Sequence, residues 1–174
     1  MNPLPRRLLL LRHAKSAWDS DAATDFDRPL AKRGRKDAPR IGHWLREQGL
    51  VPDLVVSSPA QRARETTLHA CKAMGVKEAR IRWEPRVYAA DPATLLAVLG
   101  DYTESPASIM LVGHNPGLEL LLEHLCANLP DTEDGKLLPT AAVAVLDMPQ
   151  QWRELEAGSA TLHSLTRPRN LSED

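Results

Sequence analysis

Short apolar runs punctuate the chain, and between them apolar residues recur every three or four positions. Leu8 to Leu11 follows two arginines without a polar interruption, which predicts a strand over Arg7–Leu11 buried on both faces. Leu54-Val55-Val56, Ile81–Trp83, Ser108–Val112 and Ala141–Leu146 predict four more strands, with Thr161–Leu165 as an edge strand. Ala38, Ile41, Gly42 and Leu45 share one helical face, and Gly49 sits where that helix stops. Pro39 either marks a first turn there or kinks the helix. Ser58-Pro59-Ala60-Gln61 predicts a helix start, with serine as cap, proline in the first turn and glutamine in the capping-box position. Asp91-Pro92 opens another helix by the same logic, with Leu95, Leu96 and Leu99 on one face. Asn115-Pro116 opens a fourth, running through Leu118, Leu121, Leu122 and Leu125. Strands alternating with helices predict an α/β fold, a three-layer α/β/α sandwich. Its sheet is mostly parallel, of five or six strands, with helices on both faces.

Length and charge narrow the partners. The 174 residues fit a single domain over 1–166 followed by a polar tail, 167–174, expected to fray. With 22 Lys+Arg against 23 Asp+Glu, the chain lacks the basic excess of a general nucleic-acid binder. Its N-terminal apolar run is far shorter than a signal-peptide core of about 7–15 residues or a membrane span of about 20. A cytoplasmic protein away from membranes is therefore expected. Cys71 and Cys126 stand alone in apolar helical patterns and read as buried free thiols, in keeping with a reducing compartment. No ligand pair has metal-site spacing and neither common glycine-rich phosphate loop is present, so no metal or cofactor is expected.

In sheets of this kind the ligand site lies beyond the carboxyl ends of the strands. There the first strand ends in Arg12-His13, the second leads into Arg62, the third meets Glu84 and the fourth ends in His114. Arginine forks bind phosphoryl oxygens bidentately and stay charged. A neutral histidine among them can attack phosphorus, provided one ring nitrogen is free and the other is held as a donor. A second histidine can donate to the equatorial oxygens as charge spreads over them. His43, His69, His124 and His163 lie on helices or a late strand and read as structural or solvated. Ser16, Ser57 and Ser58 lack the context of a nucleophile elbow.

Three segments, Leu11-Arg12-His13-Ala14-Lys15-Ser16, Ser57-Ser58-Pro59-Ala60-Gln61-Arg62-Ala63 and Val112-Gly113-His114-Asn115-Pro116, resemble the motifs of the histidine phosphatase superfamily, in the family's order and over nearly the whole chain. Within that phosphoglycerate-mutase-like fold, the chain most resembles the short SixA-type phosphohistidine phosphatases. The resemblance implies that His13 is the phosphorylated nucleophile and that Arg12, Arg62 and His114 complete the phosphate pocket. It also implies a lining loop, Asp25-Phe26-Asp27-Arg28-Pro29-Leu30, that adds Asp25 and Arg28, with Asp27 as a nearby substitute for Asp25. Ser16, in the first motif, is counted with these substrate-binding residues.

Three positions depart from the family pattern. Ala14 replaces the usual glycine, which is unfavourable if that position needs a positive φ. Asp19 stands where many members carry a phosphate-contacting asparagine. Glu84 matches the position some members use for the general acid, which must be protonated near neutral pH through burial or a neighbouring carboxylate. The expectation is a metal-independent phosphatase that uses a phosphohistidine intermediate. A chain this short leaves little room for insertions that wall in a small substrate, which favours phosphohistidine on a carrier protein. A broad phosphomonoesterase acting on small phosphorylated metabolites, a non-catalytic phosphate-binding module and a mutase are the competing expectations.

Overall fold

A computed structural model describes residues 5–102, 106–153 and 155–171. The leucine run forms β1 (Arg6–Arg12), and the remaining strands are β2 (Leu54–Ser57), β3 (Ile81–Trp83), β4 (Ser108–Gly113), β5 (Val143–Met148) and β6 (Thr161–Thr166). Four helices connect them: α1 (Lys32–Glu47), α2 (Gln61–Met74), α3 (Pro92–Gly100) and α4 (Gly117–Leu125). The strands form one sheet in the order β3-β2-β4-β1-β5-β6. β3, β2, β4 and β1 pair in parallel, while β5 and β6 join antiparallel, with the half-exposed β6 at the edge. No helix among the described residues is long and apolar enough to cross a membrane.

Alternation along the buried strands divides the core. Leu9, Leu11, Val55, Met110 and Val112 face α1 and α2, which contribute Ile41, Leu45, Ala70 and Met74. Leu8, Leu10, Val56, Ile109 and Leu111 face α3 and α4, which contribute Leu95, Leu99, Leu118 and Leu122. Truncating any such fully buried leucine to alanine costs about 2–5 kcal/mol. Both cysteines are buried free thiols, and burial pushes them up, to about 12 for Cys71 and about 11 for Cys126.

The sheet order brings the carboxyl ends of β2, β4 and β1 side by side. The ladder continues past them: the His13 amide donates to Gly113 O at 3.1 Å and the Ser58 amide to Val112 O at 3.0 Å. Gly34, in the first turn of α1, packs directly on the backbone of Lys15, and a Cβ there would run into the Lys15 carbonyl. The helix is thereby seated two residues beyond His13.

Three local expectations change. α2 starts at Gln61 without a side-chain cap, so Ser58 is not its N-cap and is used elsewhere. Pro39 lies well inside α1, which continues through it. The polar tail is not loose over its described part. Arg40 donates to Pro168 O and Leu171 O, both at 3.1 Å, and the buried Arg167 pairs with Asp134 at 2.9 Å. Residues 172–174 lie outside the described residues. The Asp91 cap is formed as expected, its carboxylate accepting from the Thr94 amide at 2.8 Å.

Candidate active site

His13 is the first residue past β1 and is buried. Its Nδ1 lies 2.8 Å from Ala14 O. A carbonyl only accepts, so Nδ1 carries the proton and Nε2 keeps its lone pair. His114, the first residue past β4, stands beside it with ring centroids 5.1 Å apart. Burial pushes His13 down to about 3, and His114, Arg62 and Arg12 add to the effect against the opposing Ala14 carbonyl. Burial likewise holds His114 at about 4, with Arg62 next in weight. Both rings are neutral at pH 7.

His114 Nε2 lies 2.8 Å from Ser58 Oγ, which also accepts from the Ala60 amide at 3.2 Å. With the hydroxyl proton directed to Nε2, Nδ1 of His114 is an N–H donor. Leu138 O ties the strand ends together, accepting from Arg12 Nη1 at 3.2 Å and Asn115 Nδ2 at 2.8 Å. The peptide bond between Asn115 and Pro116 is cis.

The arginines converge on one carboxylate. Arg62 donates to Asp25 Oδ2 at 3.0 Å and to Asp25 O at 2.7 Å, and Arg28 donates to Asp25 Oδ1 at 3.2 Å. Tyr88 Oη adds a third side-chain donor, to Asp25 Oδ2 at 2.8 Å. These bonds hold the Asp25 carboxyl at about 2, the Tyr88 hydroxyl having the largest effect, and the same bond raises the Tyr88 phenol. Arg28 also donates to the buried Ser16 hydroxyl. Nε of Arg12, Arg28 and Arg62 and Nδ1 of His114 are buried without a hydrogen-bond partner among the described residues. Buried polar groups are rarely left so, and a cluster of such donors is suited to an anion.

Seven of the eight residues singled out from the sequence are therefore drawn together: Arg12, His13, Ser16, Asp25, Arg28, Arg62 and His114. Asp27 does not substitute for Asp25; it is exposed and accepts from Thr24 Oγ1 at 2.7 Å. Asp19 is exposed and outside the described ion pairs with the arginines. Ala14 needs no positive φ, a conformation found at Ala89 and Ala141 instead. Its amide is bound to Thr66 Oγ1 at 2.9 Å.

Glu84 stands apart from this network. Its carboxylate caps the turn that follows β3, accepting from the Arg86 amide at 3.1 Å and the Arg86 guanidinium at 3.0 Å. Those bonds hold its pKa below the ordinary carboxyl value, the reverse of what a general acid requires. Ser58, Thr66 and Tyr88 are the site residues the sequence reading missed. Ser58 lay within a quoted motif and was read as a cap. Tyr88 follows a short turn with no periodicity to mark it.

A cavity of about 430 Å³ opens on the His114 side of the site, lined by Asp25, Arg62, Tyr88, His114, Asn115 and Leu120 among others, while His13, Arg12 and Arg28 lie outside its lining. A larger one, about 510 Å³, lies between α1 and the C-terminal segment and contains neither histidine.

Comparison with known proteins agrees with this geometry. The profile of the histidine phosphatase superfamily (branch 1) matches residues 8–86. The uncharacterized protein Rv1276c of Mycobacterium tuberculosis is 34% identical over 165 residues, covering 91% of this chain and all of that one. Phosphohistidine phosphatase SixA of Escherichia coli is 25% identical, covering 95% and 96% of the two chains. The crystal structure of the putative phosphohistidine phosphatase SixA from Agrobacterium tumefaciens superposes with a TM-score of 0.77 at 33% identity, covering 95% of this chain and 100% of that one. A profile match over the nucleophile half and end-to-end relatives of one third identity lead to one assignment: the chain belongs to the histidine phosphatase superfamily, and it is a phosphatase.

Proposed function

We propose that this phosphatase removes the phosphoryl group from phosphohistidine on a protein, by way of a phosphohistidine formed on His13. The observation that carries the mechanism is the His13 ring itself, with Nδ1–H fixed on Ala14 O and an unprotonated Nε2 in a ring under the influence of Arg12 and Arg62. Nε2 attacks phosphorus in line, and the bond from phosphorus to the substrate nitrogen breaks, its electron pair staying on that nitrogen. Arg12, Arg28 and Arg62 hold the phosphoryl oxygens, and His114 donates to them from Nδ1 as charge spreads. Asp25 orients Arg28 and Arg62, and Ser16 orients Arg28. Water then attacks the phosphoryl group on His13. The P–Nε2 bond breaks with its pair returning to Nε2, and both water protons leave with the phosphate.

The engagement of Glu84 by Arg86 favours the phosphohistidine substrate. A phosphate ester leaves as an alkoxide unless an acid hands it a proton. A phosphorylated imidazole that is protonated on its other nitrogen leaves as neutral imidazole and needs no carboxylic acid. The same holds for the second step, since Nδ1 of His13 keeps its proton throughout.

The test is phosphate release from a phosphohistidine-bearing carrier protein in excess EDTA, with p-nitrophenyl phosphate alongside and His13→Ala as control. Release from the protein that survives EDTA and vanishes in the variant is the expected result. Hydrolysis of the small ester alone would move the substrate to a metabolite, and release by neither route would leave a binding module.

A further inference from the structure

Large hydrophobic side chains exposed to solvent are not scattered evenly over this molecule. Among the described residues they are Trp18 at 76% exposure, Leu120 at 45%, Phe26 at 37% and Val51 at 37%. Val51 precedes the amino end of β2, away from the carboxyl ends of the strands where the histidines lie. The other three surround the mouth of the phosphate pocket. Trp18 stacks on the Arg28 guanidinium at 3.7 Å, and Phe26 meets Tyr88 edge to face at 5.0 Å. Leu120, on α4, lines the cavity on the side of Tyr88 and His114. They come from two separate segments, and each touches or adjoins a residue of the site: Arg28, Tyr88 and His114. A small ester held at the two histidines has no need of an exposed indole outside the pocket. Exposed apolar groups gathered around a polar site mark a surface that meets another macromolecule.

The charge of the same rim is specific. Between Lys15 and Arg28 the chain carries four aspartates and no lysine or arginine. Asp25 is taken up by the pocket arginines, but Asp19, Asp21 and Asp27 are exposed around Trp18 and Phe26. The pocket is thus a cationic well inside an acidic, apolar collar. Such a collar disfavours a free polyanion and suits a phosphoryl group carried on a cationic surface.

We infer that this collar is a docking surface for the protein that carries the phosphohistidine. The partner brings an apolar side chain against Trp18, Phe26 and Leu120, and a lysine or arginine toward Asp19, Asp21 and Asp27, on either side of the phosphorylated residue. The inference rests on the phosphohistidine reading above and adds the chemistry of the flanking residues.

Two synthetic phosphohistidine peptides test it, one flanked by leucine and lysine and the other by glycine and glutamate, with phosphoimidazole as the substrate lacking any flank. The wild type is expected to prefer the leucine–lysine peptide by about 10-fold or more in kcat/KM, a preference that falls with added salt. Leu120→Ser and Trp18→Ser are expected to reduce that preference to about 2-fold. The effect of Leu120→Ser is read as the ratio of peptide to phosphoimidazole kcat/KM, which is expected to fall, and Val51→Ser, remote from the histidines, is expected to change neither rate. Equal rates on the two peptides, or a preference that survives both substitutions, overturns the collar while leaving the phosphohistidine reading in place. Hydrolysis of p-nitrophenyl phosphate with no reaction of phosphoimidazole or either peptide overturns that reading, and the collar with it. A Trp18→Ser loss that extends equally to phosphoimidazole assigns Trp18 to the support of Arg28, and Leu120→Ser then decides.

Discussion

Glu84 accepts from the backbone and side chain of Arg86, and Arg86 reaches on to Asp101. That chain of charges engages the Glu84 carboxylate away from the pocket arginines, so Glu84→Gln is expected to leave kcat/KM for phosphohistidine within about threefold of wild type. A loss of about 100-fold or more would restore Glu84 as the acid. Tyr88, four residues on, is in contact with the pocket: its hydroxyl is on Asp25 and its ring lies edge-on to His114, with centroids 5.5 Å apart. Tyr88→Phe removes one of the three side-chain donors to the Asp25 carboxylate and so loosens Arg28 and Arg62. A rise in KM of about 3–10-fold with kcat little changed is expected from steady-state kinetics, and an unchanged KM would show that the arginines hold Asp25 unaided. His13 and Arg12 were legible because they close an apolar run, where the sheet rule places a site. Tyr88 and Ser58 were not, because each acts through a tertiary approach: Ser58 reaches His114 from a residue 56 positions away.

Helices and strands show the same division. The central strands β1, β2, β4 and β5 were marked in the sequence by compact apolar runs, since burial on both faces leaves few polar positions to confuse the pattern, whereas β3 and β6 carry exposed polar residues. The start of α2 was misplaced for a physical reason. Ser58 and Pro59 satisfy the local rules for a cap and a first turn, yet the Ser58 hydroxyl turns to His114 and the helix begins at Gln61. A local preference gave way to a bond that only the folded sheet can supply. α1 raises a different point, since its role in the site depends on a residue without a side chain. Gly34→Val would force α1 away from the Lys15 backbone. Overpacking of this kind costs typically about 1–3 kcal/mol. Because Lys15 lies two residues from His13, a fall in kcat is expected along with the fall in urea midpoint. Stability lost with kcat intact would mean that the nucleophile is positioned by β1 and the Ala14–Thr66 bond alone.

For the molecule as a whole, the two neutral histidines make stability depend on pH. Each has a folded pKa depressed below the ordinary value of 6.5, His13 to about 3 and His114 to about 4. Between those values and 6.5 the unfolded chain binds protons that the folded chain refuses. The unfolded state then holds more protons, so stability rises with pH across this window and is lost as pH falls from 6.5 toward 4. Each histidine contributes a slope of roughly 1 kcal/mol per pH unit once its unfolded form is protonated. Asp25 acts in the same direction but only in stronger acid, since its stabilisation is complete above 3.8 and is lost as pH falls toward about 2. The two contributions therefore separate on the pH axis. Urea unfolding between pH 7 and 4.5 is expected to show a steep decline for the wild type and a shallower one for His13→Gln and for His114→Gln. In the double variant most of the slope should be gone, whatever the variants do to stability at pH 7. An identical slope in all four proteins would place the acid sensitivity elsewhere and would mean that the two site rings take up protons in the folded state near pH 6.5, which is incompatible with a nucleophile kept neutral by burial.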